Sequence, residues 1–226
     1  MINVVCIKWG TKYNFEYVNK LYNMVKRNLT LPFKFICFTD DRTQIIPEVE
    51  CRDFLIPGMT GWWNKLTLFN KDINLEGDCL FLDLDIVIYN NIDKLIHYTS
   101  SDRFNIPRDF GQPDNLYNSS VMKFNVKHHS FIWEEYINKK SIFDKVHGDQ
   151  NVISTIFLTE KYRTMLVPFQ DEWIHSYRWP FRGKPEKYNK ENRYNMLPGA
   201  MIAVFHGNPK PNQVLDLSDW VKTHWK

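Results

Sequence analysis

The chain has 226 residues, 43% hydrophobic and 24% charged, which predicts a single globular domain over residues 1–226 with a substantial core. Its 29 Lys and Arg nearly balance 26 Asp and Glu, for a formal charge of +3, and both signs are mixed along the chain, which excludes the concentrated basic face of a nucleic-acid binder. The longest apolar runs, residues 79–82 and 201–205, fall far short of the ~20 residues of a membrane span, and MINVVCIKWG lacks a signal-peptide pattern. A soluble, cytoplasmic protein is expected. Alanine occurs only at positions 200 and 203, a composition of A/T-rich bacterial or viral genomes; for a viral protein the compartment would be the host cytoplasm.

In chain order, residues 2–9 read as a buried strand ending at Gly10, and Phe15, Val18, Leu21, Tyr22 and Val25 recur at the spacing of a helix over 15–28. A second strand is predicted over 33–39, a helical segment over 62–69, a third strand over 79–85 and a short helix over 91–98. Further strands are predicted at 103–107, 117–125, 165–168 and 201–206, and helices at 128–139, 149–159 and 219–226. Alternation of strands and helices in the first half argues for an α/β domain with a mostly parallel central sheet flanked by helices. The cysteines Cys6, Cys37, Cys51 and Cys79 form no CxxC pair, and three of them lie in apolar runs that suit buried thiols.

No GxGxxG or GxxxxGK motif is present, so a bound nucleotide diphosphate would need another means of neutralisation. The segment FLDLDIVIYNNID, residues 81–93, offers one. On a strand Asp83 and Asp85 would share a face with Cα atoms roughly 7 Å apart. Two carboxylates at a buried strand end call for a cation or strong donors, and strand ends of open α/β sheets are where ligands bind. A hard divalent cation shared with diphosphate oxygens meets both needs. Taken alone, the pair reads equally well as two solvated aspartates.

The flanking segments extend the pattern. WWNKLTLF carries Lys65, then follow FLDLDIVIYNNIDKL, YNSSVMKFN, GDQNVIS and FHGNPKP. In this order they resemble the GT-A glycosyltransferases of the glycogenin and lipopolysaccharide galactosyltransferase type, the glycosyltransferase family 8-like group. The resemblance implies a GT-A fold and a metal, Mn²⁺ or Mg²⁺, held by Asp83, Asp85 and His206. Mn²⁺ suits a neutral imidazole better, although a histidine at a strand end is also a common structural residue. It further implies a phosphate contact from Lys210, in a loop shorter than is usual in that group, and donor contacts from Lys65, Asn118, Ser119 and Gly207. Asp149, Lys210 and Lys65 would carry catalysis. A surface lysine at 65 and a helix N-cap at 149 are the plain alternatives. By the same resemblance Gly10, Thr11 and Tyr13 would meet base and ribose, and Asp41 the nucleoside, where ordinary turn chemistry also accounts for them.

The implied activity is transfer of a hexose from a nucleotide diphosphate sugar, UDP-linked, to an acceptor hydroxyl with retention of configuration. The acceptor would be a saccharide, glycoconjugate or protein. Trp173, Tyr177, Arg178 and Trp179, with Phe181 and Arg182, fall in a polar stretch of residues 170–194 without strand or helix periodicity, and suit an acceptor loop whose rings meet sugar faces; one or two of them plugging the core is the alternative. A metal-dependent nucleotidyltransferase, or a non-catalytic carbohydrate- or nucleotide-binding module, would use the same aspartates.

Overall fold

The structure, a computed structural model, describes residues 1–114, 116–179 and 196–226. Its elements in chain order are β1 (Ile2–Lys8), α1 (Phe15–Asn28), β2 (Phe33–Thr39), β3 (Glu50–Arg52), a 3₁₀ helix (Gly61–Phe69), β4 (Asp78–Leu82), β5 (Ile86–Ile88), α2 (Asp93–His97), β6 (Val121–Asn125), α3 (Val126–His129), α4 (Phe131–Asn138), α5 (Lys140–Phe143), α6 (Asp149–Phe157), β7 (Ile174–Ser176), β8 (Ile202–Val204) and α7 (Asp219–His224). Short 3₁₀ turns fill several connections.

A five-stranded sheet has the order β3-β2-β1-β4-β6. All neighbours are parallel except β4 and β6, which pair antiparallel. Alternate side chains explain why it is covered on both sides: Val4, Cys6, Phe35, Cys37, Leu80 and Leu82 enter one core with α1, while Val5, Ile36, Phe38, Cys79 and Phe81 enter the other with the 3₁₀ helix, α4 and α6. Strands apolar on both faces are what a parallel arrangement requires. The α/β reading and the buried Cys6, Cys37 and Cys79 hold.

The expected strand over 79–85 requires correction. β4 ends at Leu82, Asp83, Leu84 and Asp85 form a turn, and β5 starts at Ile86 in a second sheet of order β5-β8-β7. The two aspartates therefore sit where the chain leaves one sheet for the other, and strand alternation does not govern them. Backbone hydrogen bonds pin both ends of this crossing, Asp83 N–H to Ser120 O at 2.8 Å and Phe205 N–H to Asp85 O at 2.9 Å. Residues 103–107 and 165–168 are not strands either. They make only isolated bridges, Phe104 with Leu166 and Asn105 with Lys123, because one pairing at each point leaves no continuous ladder. Within 170–194, residues 174–176 form β7, parallel to β8; Phe181 and Arg182 lie outside the described residues. Among the described residues no helix is long and apolar enough to cross a membrane.

Candidate active site

A cavity of about 400 Å³ opens at the C-terminal ends of β1 and β4. The β4–β5 turn supplies Asp83 and Asp85, the 3₁₀ helix Trp62 and Lys65, the chain entering β6 Asn118 and Ser119, the start of α6 Asp149 and Gln150, and the segment after β8 His206, Gly207 and Lys210. Trp9, Lys12 and Tyr13 after β1 complete it. Six segments far apart in sequence thus meet at the C-terminal end of the sheet.

Each aspartate of the turn has its own ammonium. Lys65 Nζ lies 2.9 Å from Asp83 Oδ1 and 3.0 Å from Oδ2, donates to Ser119 Oγ at 3.3 Å, and is 3.7 Å from Asp149 Oδ2. Burial disfavours the charge on Lys65, but Asp149, Asp83 and Asp85 outweigh it and hold its pKa above the usual lysine value. Burial also pushes the Asp83 carboxyl up, against the pull of Lys65 and with help from Asp85 and Asp149. Lys210 Nζ pairs with Asp85 Oδ2 and donates to Phe205 O at 3.1 Å. The loop with fewer residues between histidine and lysine thus still delivers its lysine to the turn. Asp85 Oδ2 also accepts from the Tyr13 hydroxyl at 2.8 Å, and burial with the neighbouring Asp85 charge raises the Tyr13 pKa.

Asp149 is the first residue of α6, and Gly148 occupies the cap position. The cap explanation for Asp149 therefore fails, since its side chain caps nothing. It is buried, and Oδ2 accepts no hydrogen bond. A buried carboxylate oxygen with only a lysine at 3.7 Å is costly to keep, and the Asp149 residue is part of the cavity lining.

His206 is held differently. Its ring stacks 5.4 Å from Phe110 and lies 4.8 Å from Trp179, and Nε2 is 2.7 Å from Ser176 Oγ. Ser176 Oγ already accepts from Arg178 N–H at 3.0 Å and Trp179 N–H at 2.8 Å, so its own proton goes to Nε2 and the imidazole carries its proton on Nδ1. Burial lowers the His206 pKa to about 4, which keeps the ring neutral at pH 7.

The other expected residues divide. Asn118, Ser119, Tyr13 and Gly207 line the cavity. Gly10 does not; its N–H is fixed by Asp40 at 2.9 and 3.2 Å and its φ of 62° suits glycine. Thr11 and Asp41 are exposed and outside the lining, with Asp41 3.5 Å from Lys8 Nζ. Tyr177 requires correction as an acceptor residue. It is 1% exposed and stacks 4.1 Å from Phe205 in the core, because β7 turns it inward. Trp173 packs half-buried against Tyr98 at 5.0 Å. Arg178 is exposed, with its guanidinium 5.1 Å from the half-buried Trp179 ring. Sequence reading missed Ser176, hidden in a stretch without periodicity, and Trp62, whose place in WWNKL gave no sign of which tryptophan stays exposed.

Donor chemistry at the turn fits a divalent cation. Asp83, Asp85 and a neutral His206 are hard-to-borderline donors lining one cavity, and an ammonium already stands against Asp85 as a cation would. No three His, Cys, Asp or Glu side chains among the described residues converge into a ready metal-holding group, and His206 Nε2 is already bonded to Ser176 Oγ.

No family model matches the chain, and no curated protein matches it in sequence. Solved structures match in fold. The glycosyltransferase GlyE of Streptococcus pneumoniae TIGR4 aligns with a TM-score of 0.71 and 14% identity over 100% of this chain and 62% of its own, so this chain spans less than two thirds of GlyE. The galactosyltransferase LgtC, solved with donor and acceptor sugar analogues, gives 0.62 and 12% over 98% of this chain and 96% of its own. Mouse xyloside xylosyltransferase 1 gives 0.59 and 12% over 90% and 97%. The chain therefore shares the fold of these glycosyltransferases, the GT-A fold that the ordered motifs lead one to expect.

Proposed function

We propose that this chain is a metal-dependent glycosyltransferase that moves a hexose from a UDP-linked donor to an acceptor hydroxyl with retention. One observation carries the reading: three carboxylates and three lysines, Asp83, Asp85, Asp149, Lys12, Lys65 and Lys210, gather around one cavity at the C-terminal strand ends of a GT-A fold. The paired carboxylates of the β4–β5 turn favour a divalent cation, and the lysines favour a diphosphate.

Asp83, Asp85 and His206 would hold Mn²⁺ or Mg²⁺, which when bound supplies charge stabilisation for a departing diphosphate. Lys210, released from Asp85, holds the phosphate oxygens and matters most as the glycosidic bond breaks and negative charge grows there. Lys65 fixes Asp83 and Asp149 in place. The Asp149 carboxylate accepts a sugar hydroxyl, and Asn118 and Ser119 orient the same ring. Among the described residues no further carboxylate lines the cavity, which supports a route in which the leaving phosphate accepts the acceptor's proton. The acceptor is a saccharide, glycoconjugate or protein, and residues 1–226 are taken as one catalytic domain.

Incubation with UDP-hexoses and Mn²⁺ tests this. Release of UDP, slow without an acceptor, is expected. Consumption of nucleoside triphosphates would instead indicate a nucleotidyltransferase, and binding without turnover a carbohydrate- or nucleotide-binding module.

A further inference from the structure

Trp62 stands out among the exposed apolar side chains. It is 51% exposed yet lines the mouth of the polar cavity, and it is held in place. A Cβ built on Gly148 would lie 3.3 Å from the Trp62 Nε1 and 3.5 Å from two further indole atoms. Gly148 has φ 167°, extended backbone open to any residue, so its conformation does not demand glycine; the indole lying against it does. His147 flanks the same ring at 6.0 Å between centroids.

The 3₁₀ period places Trp62 one turn before Lys65 on the same helix edge, about 6 Å along the axis. Lys65 in turn reaches Asp83 and Asp149. A flat ring thus lines the same cavity as the carboxylate assigned to the donor hexose, together with Gln150.

Resting on the transferase reading, we propose that Trp62 is the stacking platform of the acceptor subsite and that the group it takes is a neutral pyranose ring of a saccharide. The apolar C–H face of the sugar covers the indole, and Gln150 at the cavity mouth meets its hydroxyls. An immobilised ring binds without paying for its own ordering. This subsite lies on the 3₁₀ helix and the start of α6; in residues 170–179, by contrast, Tyr177 is core and Trp179 packs on His206.

The test labels the tryptophans with ¹⁵N in the full chain and follows indole N–H signals, with Trp62 identified by its loss in Trp62→Phe. Methyl β-D-glucoside, methyl β-D-galactoside and lactose are titrated at millimolar concentration in the presence of UDP and Mn²⁺. At least one should shift the Trp62 signal, and Trp62→Ala should weaken that saccharide's binding about tenfold while Trp62→Phe retains most of it. UDP affinity should change less than twofold in both variants, which also shows that they fold. An unmoved Trp62 signal with all three saccharides, or a saccharide bound equally by Trp62→Ala, overturns the proposal. Loss of UDP release from UDP-hexoses in the wild type would instead count against the transferase reading, and the saccharide titration is independent of it.

Discussion

Ser176 Oγ lies 2.7 Å from His206 Nε2 and at the same time accepts two backbone N–H groups, from Arg178 and Trp179. That arrangement sets the histidine tautomer and makes Ser176 a competitor of any cation for Nε2. Ser176→Ala should therefore raise Mn²⁺ affinity several-fold while lowering stability by about 1 kcal/mol, since two partly buried N–H groups lose their acceptor. Calorimetric titration of Mn²⁺ and chemical denaturation read the two effects. Unchanged or weaker Mn²⁺ binding would show that His206 does not compete as a ligand.

Lys65 neutralises two carboxylates at once. Replacing it in Lys65→Met leaves Asp83 and Asp149 facing each other without a cation, and Asp83, already pushed up by burial, moves further up. The expected cost is about 3 kcal/mol at pH 7.5, shrinking on acidification as Asp83 takes up a proton. Urea denaturation at pH 7.5 and 5.5 checks it. A cost below about 0.5 kcal/mol, in the range of exposed ion pairs, would mean that solvent already screens this cluster.

His129 is fully buried, with Nδ1 at 2.9 Å from Asn125 O and Nε2 without a hydrogen-bond partner. Burial lowers its pKa to about 4, against 6.5 for the unfolded chain. Between those values the unfolded chain takes up a proton that the folded chain refuses, so stability falls as pH drops from 6.5 toward 4 and is unaffected above. His129 should contribute a loss on the order of 2–3 kcal/mol by pH 4.5, and His206 acts in the same direction. His129→Gln should flatten the pH dependence of the melting temperature, whatever its baseline; an unaltered slope would contradict the assignment.

The elements most legible in the sequence were those carrying their own periodicity. α1 and β2 fall at residues 15–28 and 33–39 as expected, because an amphipathic stripe and a doubly buried apolar run are local signals. The β4–β5 turn was misread as strand because FLDLDIVI alternates its two aspartates with apolar residues, as a strand would, and nothing local says that the chain changes sheets at Asp83. β7 was missed because Ile174, His175 and Ser176 are ordered by pairing to β8, a contact between distant parts of the chain. The site followed the same rule. Asp83, Asp85, Lys65, Asp149 and Lys210 were readable as motifs, while Ser176 acts through His206 and Trp62 through Gly148, relationships that exist only after folding.

The carboxylate of Asp149 is buried, has an oxygen without a hydrogen-bond partner, and lines the cavity near Lys65. The most direct measurement is the rate of UDP release from UDP-hexoses in Mn²⁺ for wild type and Asp149→Asn, alongside UDP affinity and melting temperature. The account predicts measurable release by the wild type, abolished in excess EDTA, and at least a hundredfold slower release by Asp149→Asn with the fold and UDP affinity retained. That ratio corresponds to about 3 kcal/mol of lost transition-state stabilisation. Wild-type rates in Asp149→Asn, or full activity in EDTA, would contradict it.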